Sequence, residues 1–295
     1  MNTSTGPSHT VTIGGDLTVG NIGYGAMQLT GPKVWGDYPD HDGGVSLLRE
    51  VVAAGVTFID TADVYGPHSN EELIKDALFP YPDDLVIATK GGFVRGGPEY
   101  SDMGAVGNRS YLRQAAYMSL RRLGLDQIDL YYLHTPTMTD VSFESAVETL
   151  AGMKDEGLIR HIGLSNVSAD QLRSALAITD IATVTVHYNV AVRLGAAVRA
   201  IAVEQGLIFS PWHPGAVPGG EEGVPFHAVI DPIASKYNAT PQQIGLAWQL
   251  HRSPNALPIP GTTSLHHLRE NLDAASIELT EQEVEAITRL VPEQL

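Results

Sequence analysis

Short apolar segments alternate with longer amphipathic ones along most of the chain, and this alternation limits the possible folds more than any other feature. Eight apolar segments are rich in β-branched residues, as expected of strands that are buried on both faces. The predicted strands span residues 22–26, 57–61, 85–90, 128–134, 161–166, 183–188, 207–211 and 256–261. Eight strand–helix units predict an α/β protein of the (β/α)8 TIM barrel type.

The segments between the predicted strands carry signals for helix ends. Capping boxes start helices with Ser or Thr followed three residues later by Glu or Gln. Four pairs fit this pattern: Ser69 with Glu72, Ser168 with Gln171, Thr240 with Gln243, and Thr280 with Glu283. Glycines are expected where helices end, at positions 55, 124, 157 and 206.

A short β-hairpin is predicted ahead of the barrel, because residues 11–19 carry Gly14-Gly15-Asp16 in their middle. Residues 1–10 are polar and predict a flexible tail, which leaves residues 11–295 for a single barrel domain. The alternative fold is a doubly wound sheet, which binds dinucleotides through G-x-G-x-x-G after its first strand. Gly20, Gly23 and Gly25 have a different spacing, so the barrel is favoured.

Composition excludes several classes of function. Acidic residues number 34 and basic residues 18, and the resulting charge of −16 argues against binding to nucleic acids or anionic membranes. The sequence contains 0 Cys, which excludes disulfides and thiolate metal sites. No segment reaches the ~20 apolar residues of a membrane span. The sequence therefore predicts a cytoplasmic protein.

Four polar side chains are expected to meet at the end of the barrel where active sites lie, the carboxyl ends of the strands. Asp60, Lys90 and His134 end three successive predicted strands, and Tyr65 follows Asp60 by five residues. Each has a structural explanation when taken alone, such as an Asp that binds nearby backbone amides. Together they favour a catalytic site, because a buried Lys and Asp need partners.

Longer motifs around these residues resemble the aldo-keto reductase family. They are Phe58-Ile-Asp60-Thr-Ala-Asp-Val-Tyr65-Gly66, Ala88-Thr-Lys90, Asp129-Leu-Tyr-Tyr-Leu-His134, Gly163-Leu-Ser-Asn166 and Pro258-Ile-Pro-Gly261. Two further stretches, Tyr24-Gly-Ala-Met-Gln-Leu29 and Tyr65-Gly-Pro-His68, are similar to a bacterial branch that includes pyridoxal reductases. The resemblance runs in order from about residue 11 to the C-terminus.

The resemblance implies reversible NAD(P)H-dependent reduction of a small aldehyde or ketone without a metal. Tyr65 is then the general acid, Lys90 and Asp60 are its partners, and His134 orients the carbonyl group. A free phenol has a pKa near ~10, which is poorly matched to neutral pH. We therefore expect the Lys90 ammonium to lower the pKa of Tyr65.

The same resemblance implies positions for the cofactor. Ser165 and Asn166 match the pair that holds the nicotinamide carboxamide, and Phe209 matches the aromatic residue that stacks on the nicotinamide ring. Thr185 stands where the family often has Gln. Contacts to the phosphates and the adenine are expected from Ser210, Trp212, Gly261, Thr262, His267, Glu270 and Asn271.

The expected cofactor is NADPH, with NADH as the alternative. Well-known members of the family hold the 2′-phosphate with a Lys and an Arg, and these are replaced here by Gly261 and His267. Thr262 or Arg269 can contribute contacts in their place.

Substrate selectivity is expected in loops at the same face of the barrel. Trp35, Phe93 and Trp212 are candidates for the substrate pocket. Arg95 and Arg109 are possible anion contacts, although surface pairing is the more usual role of such arginines.

Two other functions remain open from the residues. One is a redox-sensing, nicotinamide-binding regulatory module of the same fold. The other is a metal-dependent hydrolase, which is disfavoured because the strand ends offer few ligands, so no metal is expected. The partner expected is a small carbonyl or alcohol substrate.

Overall fold

The computed structural model describes residues 10–293, and a parallel sheet with surrounding helices forms its centre. The strands are β1 (Thr10–Ile13), β2 (Leu17–Gly20), β3 (Tyr24–Gly25), β4 (Phe58–Asp60), β5 (Val86–Gly91), β6 (Phe93–Arg95), β7 (Met103–Ala105), β8 (Ile128–Leu133), β9 (Ile159–Ser165), β10 (Thr183–His187) and β11 (Ile208–Trp212). The helices are α1 (His41–Ala53), α2 (Ser69–Leu78), α3 (Arg109–Leu123), α4 (Phe143–Asp155), α5 (Ala169–Leu176), α6 (Ala196–Gln205), α7 (Gly220–Tyr237), α8 (Pro241–Arg252), α9 (Leu265–Asp273) and α10 (Glu281–Thr288).

Seven parallel strands follow the order β3-β4-β5-β8-β9-β10-β11, and the sheet curls so that its two edges approach each other. Residues 256–261 bridge these edges. The Gly23 amide donates to the Pro258 carbonyl at 2.9 Å, and the Leu257 amide donates to the Phe209 carbonyl at 2.9 Å. The (β/α)8 barrel that the sequence predicts is confirmed.

The predicted strand at residues 256–261 is the exception to this agreement, because the segment forms one isolated bridge instead of a regular strand. Pro258 and Pro260 each lack an N–H, so the segment cannot donate from these positions to either neighbour. Their carbonyl groups still accept from Gly23 and Gly25. We name this segment the closing segment.

The predicted β-hairpin ahead of the barrel is present, and it closes the amino-terminal end of the barrel. Strands β1 and β2 pair antiparallel around Gly14 and Gly15, whose φ angles of 60° and 87° suit glycine. The buried hairpin side chains, among them Ile13 and Val19, join a cluster with residues at the starts of the barrel strands. Residues 1–9 of the predicted tail lie outside the described residues. Thr10, the last residue of the predicted tail, belongs to β1.

Alternation along the strands decides which side chains face the barrel interior. In β5, Val86 and Ala88 pack with the hairpin cluster inside the barrel, whereas Ile87 packs against the helices outside. The period of two then places Lys90 inside, above Ala88. In β11, Ile208 likewise joins the interior cluster and Phe209 joins the outer layer.

Three of the four predicted capping boxes are confirmed, at the starts of α5, α8 and α10. The fourth prediction, at Ser69, is wrong. Helix α2 follows His68, which has a left-handed backbone and makes no capping bond with its side chain. The Ser69 hydroxyl instead donates to the Gly36 carbonyl at 3.2 Å, a partner from a distant loop.

Helices throughout residues 10–293 lack the combination of length and apolar composition that a bilayer crossing requires.

Candidate active site

A pocket of about 450 Å³ opens at the carboxyl ends of the barrel strands. This volume falls in the usual range of small-molecule sites. The predicted site residues that line it are Asp60, Tyr65, Lys90, Phe93, His134, Ser165, Asn166, Thr185, Trp212, Gly261 and Asn271. The structure therefore brings together all four predicted catalytic side chains.

Lys90 is the centre of the buried polar group. Its Nζ donates to Asp60 Oδ2 at 2.5 Å and to the Thr61 carbonyl at 2.8 Å. The Tyr65 hydroxyl lies 3.5 Å from the same nitrogen. Burial opposes the ammonium form, but the Asp60 carboxylate and Tyr65 together raise the pKa of Lys90. The ammonium group therefore persists at neutral pH.

Lys90 lowers the pKa of Tyr65, as expected, but the net shift of this pKa is upward. Part of the Tyr65 ring is exposed, but protein surrounds its hydroxyl, and burial raises its pKa by more than the Lys90 ammonium lowers it. The nearby Asp60 carboxylate adds to the increase. Tyr65 thus keeps its proton at neutral pH, as a proton donor must.

His134 lies beside Tyr65 in the pocket. Its ring lies 5.9 Å from the Tyr65 ring and 4.7 Å from the Phe93 ring, measured between centroids. Burial, with a smaller effect from the Lys90 charge, holds the pKa of His134 well below its ordinary value. Its Nδ1 has no hydrogen-bond partner within residues 10–293. The imidazole is therefore neutral at neutral pH and can bind a neutral oxygen atom.

A network of backbone contacts holds the loop that carries Tyr65. Gly66 has a φ angle of 88° and forms a parallel bridge with Trp35. The buried Asn70 side chain accepts from the Thr61 hydroxyl at 2.6 Å and donates to the Ala26 and Leu29 carbonyls. Because these partners come from the ends of β3 and β4, Asn70 fixes the Tyr65 loop to the barrel.

Ser165, Asn166 and Trp212 form a connected group beside the catalytic residues. Asn166 has a left-handed backbone and donates through Nδ2 to Ser165 Oγ at 3.0 Å. Trp212 Nε1 donates to Asn166 Oδ1 at 3.0 Å. The Trp212 ring stacks on His187 with a centroid distance of 3.9 Å and an interplanar angle of 11°.

The prediction that Phe209 stacks on the nicotinamide ring needs correction. Phe209 is fully buried and packs edge-on against Tyr188, in the layer between the sheet and the helices. Ser210 is also fully buried, and its hydroxyl donates to the Leu257 carbonyl at 2.8 Å. The outward register of Phe209 causes this difference, and the aromatic side chain of β11 that reaches the pocket is Trp212.

The predicted contacts to the phosphates and the adenine divide into two sets. Gly261 and Asn271 line the pocket, whereas Thr262, His267 and Glu270 lie outside its lining. Thr262 is buried and bonds to the Ser264 amide through its hydroxyl. His267 Nδ1 and Glu270 Oε2 lie 2.7 Å apart on the surface of α9.

His266, His267 and Glu270 place possible metal-ligand atoms within 4.8 Å of one another. All three lie on α9, where Glu270 stands one helical turn after the two histidines. Both histidines are exposed, and their partner in the structure is the Glu270 carboxylate. The contacts of His266 and His267 with the Glu270 carboxylate are sufficient to explain why these three side chains lie close together.

The substrate side of the pocket differs in part from the prediction. Phe93 and Trp212 line the pocket, whereas Trp35 lies outside its lining, with its ring 5.3 Å from the Arg95 guanidinium. Arg95 itself lines the pocket. Arg109 pairs with Glu156 at 3.7 Å and is exposed, as expected of a surface arginine.

Sequence reasoning missed a buried ion pair behind the site. Glu71 is fully buried, accepts from the Thr89 hydroxyl at 2.6 Å and pairs with Arg122 Nε at 2.6 Å. It joins α2 to the outer face of β5, the strand that carries Lys90. The sequence gives little sign of this ion pair, because an acidic residue such as Glu71 is common in the first turn of a helix.

A sequence model of the Aldo/keto reductase family matches residues 21–292. The chain is 41% identical over 282 residues to pyridoxine 4-dehydrogenase of Escherichia coli (strain K12), covering 93% of this chain and 96% of that protein. It is 40% identical over 269 residues to an uncharacterized oxidoreductase of Schizosaccharomyces pombe, covering 91% of this chain and 85% of that protein.

Solved structures show the same relationship. A thermostable aldo-keto reductase in complex with the inhibitor epalrestat has a TM-score of 0.85 at 29% identity, covering 96% of this chain and 99% of that chain. An aldo-keto reductase from Klebsiella pneumoniae in complex with NADP and acetate has a TM-score of 0.79 at 27% identity, covering 97% and 96% of the two chains. On this evidence the chain belongs to the aldo/keto reductase family and is an oxidoreductase.

Proposed function

We propose that this protein reduces a small aldehyde or ketone with NADPH, and that Tyr65 donates the proton. The observation that carries the proposal is the group formed by Tyr65, Lys90, Asp60 and His134 at the base of one pocket. A buried phenol with a raised pKa, 3.5 Å from an ammonium group, is a proton donor held in place.

The residues around the pocket fit a nicotinamide cofactor. The Thr185 hydroxyl oxygen is buried without a hydrogen-bond partner in residues 10–293 and lines the pocket beside Ser165 and Asn166. These three side chains offer the donors and acceptors that a carboxamide needs. We propose that Trp212, rather than Phe209, provides the flat surface for the ring, with Gly261 and Asn271 towards the adenosine end.

The bound nicotinamide would supply the hydride. The protein's part is to place the carbonyl oxygen between the Tyr65 hydroxyl and the His134 imidazole, where two hydrogen-bond donors meet the negative charge that develops on oxygen. Tyr65 then transfers its proton to that oxygen. The Lys90 ammonium stabilises the resulting phenolate, and Asp60 keeps the ammonium in position.

The relative named pyridoxine 4-dehydrogenase makes pyridoxal-like aldehydes the first substrates to test. We propose NADPH over NADH because an aldo-keto reductase from Klebsiella pneumoniae, 28% identical to this chain, was crystallised with NADPH. Arg269, exposed on α9, is our candidate for the contact to its 2′-phosphate. Direct titration of both cofactors tests this preference.

The Tyr65→Phe variant tests the proposed function. Removing the proton donor is expected to lower kcat for aldehyde reduction about 10²- to 10⁴-fold, whereas the dissociation constant for NADPH, measured by fluorescence titration, stays unchanged. Tyr117→Phe, at a half-exposed position on α3, is the matched control and should retain full activity. Equal turnover by wild type and Tyr65→Phe would remove Tyr65 from its proposed role.

The raised pKa of Tyr65 also predicts how the reaction rate depends on pH. Because the pKa is raised, the protonated phenol is present throughout the neutral range, and reduction should lose rate only at alkaline pH. Alcohol oxidation needs the phenolate, so its rate should rise as the pH increases through the alkaline range. A reduction rate that already falls between pH ~6 and ~8 would contradict this assignment.

A further inference from the structure

The wall of the pocket opposite the barrel strands contains a positive charge that the catalytic mechanism does not use. Arg95 ends β6, in the β6–β7 hairpin that covers one side of the pocket. Its guanidinium donates to three backbone carbonyls, from Nε to Gly97 at 3.3 Å, from Nη1 to Lys33 at 3.3 Å and from Nη2 to Pro98 at 2.7 Å. These bonds fix the side chain in one place.

The partners of Arg95 leave its charge uncompensated. Within residues 10–293 no carboxylate forms an ion pair with it, whereas its neighbour Lys33 pairs with Glu99 at 2.6 Å. The Trp35 and Tyr100 rings lie 5.3 and 5.5 Å from the guanidinium carbon, and they stabilise a cation without neutralising it. The chain has a net charge of −16, yet this cation at the pocket has no acidic partner among the described residues.

The guanidinium also retains hydrogen-bonding capacity. Arg carries five N–H donors in a planar fork. Nε–H and both hydrogens of Nη2 are used by Gly97, Lys33 and Pro98, and Nη1 uses one of its two. One N–H of Nη1 is therefore free to meet an acceptor that enters the pocket.

The strand β6 connects this charge with the catalytic residues. Phe93 lies against His134, with ring centroids 4.7 Å apart. Arg95 follows two residues later on the same face of the strand, and two residues of a strand span about 7 Å. His134 and Arg95 both line the pocket, so one substrate can meet both when it carries a carbonyl group and an anionic group.

We propose that Arg95 binds an anionic group of the substrate, so that the preferred substrates are aldehydes that also carry a carboxylate or a phosphate. The proposal rests on the proposed reduction at Tyr65 and adds the substrate class. Guanidinium groups bind carboxylates and phosphates through charge-assisted hydrogen bonds, which are about twice as strong as neutral ones.

The test compares kcat/KM for 4-carboxybenzaldehyde with that for its uncharged methyl ester, in wild type and in Arg95→Met. Wild type is expected to prefer the carboxylate at least tenfold. Arg95→Met should lower kcat/KM for the carboxylate about 10- to 100-fold, mainly through KM, and leave the ester within about twofold. 4-Formylphenyl phosphate against 4-methoxybenzaldehyde asks the same question of phosphate, and separates it from a carboxylate preference.

Arg109→Met is the matched control, because it removes an exposed arginine whose partner is Glu156. An Arg95 that only supports the hairpin would affect acid and ester equally in Arg95→Met, and equal losses would overturn the proposal. Should that variant fail to fold, the wild-type ratio decides, since equal rates with acid and ester also overturn it. No turnover of either aldehyde despite NADPH binding would instead show that the proposed function has failed.

Discussion

Trp212 links the proposed ring-binding surface to the group that is expected to hold the carboxamide. Its indole N–H fixes the orientation of the Asn166 amide, because Oδ1 is the acceptor and Nδ2 must then face Ser165. His187 supports the opposite face of the indole. The side chain therefore orders two neighbours as well as presenting its own ring.

Trp212→Phe removes the N–H donor and keeps an aromatic ring. The loss of about 1 kcal/mol from one neutral hydrogen bond should raise the dissociation constant for NADPH about fivefold. The affinity for 2′-phospho-ADP-ribose, which lacks the nicotinamide, should not change. Isothermal titration with the two ligands measures both quantities, and Trp35→Phe, outside the pocket lining, is the control. If the affinities for both ligands fall equally, Trp212 does not act at the nicotinamide.

At the scale of elements, a capping-box sequence predicted the start of a helix correctly where its Ser or Thr hydroxyl had no other hydrogen-bond partner. The capping boxes at Ser168, Thr240 and Thr280 formed as predicted, because each involves residues within one turn. Ser69 has the same local pattern, but its hydroxyl donates a hydrogen bond to the Gly36 carbonyl in a distant loop. Predicting that contact requires the tertiary structure.

Strand β9 contains a glycine that makes room for the support of the active site. A Cβ at Gly163 would lie 2.4 Å from the Tyr132 ring, and Lys90 Nζ lies 5.6 Å from the centre of that ring. The absence of a side chain at Gly163 thus allows Tyr132 to stand under Lys90. The hydroxyl of Tyr132 is 3.0 Å from that of Thr183, which fixes the ring at its other end.

Gly163→Ala should therefore lower the free energy of unfolding by about 1–3 kcal/mol, since a methyl group is forced into packed space. Gly152→Ala is the matched substitution, because a Cβ there meets no atom within 4 Å and the site lies inside α4. That change should raise the free energy of unfolding by about 0.5–1 kcal/mol. Urea titrations measure both, and a neutral Gly163→Ala would show that Tyr132 relaxes easily.

At the scale of the whole molecule, the order of strands and helices could be predicted from the sequence, because buried parallel strands and amphipathic helices have different periods. The ends of β4, β5 and β8 then fixed the positions of Asp60, Lys90 and His134. The register of β11 could not be predicted, since both Phe209 and Trp212 are aromatic and the sequence does not say which one faces inward. The unpaired charge of Arg95 depends on loop geometry and was also beyond prediction.

The hairpin at the amino-terminal end of the barrel contributes to global stability through its inward face. Ile13 is fully buried among the strand starts, whereas the side chain of Thr12 is exposed. Ile13→Ala should lower the free energy of unfolding by about 2–4 kcal/mol, and Thr12→Ala should change it by less than about 0.5 kcal/mol. Thermal or urea unfolding distinguishes them, and similar values for the two variants would show that the hairpin opens independently of the barrel.

The closing segment has a consequence for the order of events during synthesis. The barrel closes through bonds from Gly23 to Pro258 and from Gly25 to Pro260, residues that leave the ribosome far apart in time. Until the closing segment emerges, β3 and β11 are the open edges of an incomplete sheet. Open edges are templates for pairing with other chains. A nascent chain that stalls after β11 is therefore the species we expect to need a chaperone, and completion of residues 256–261 ends that exposure.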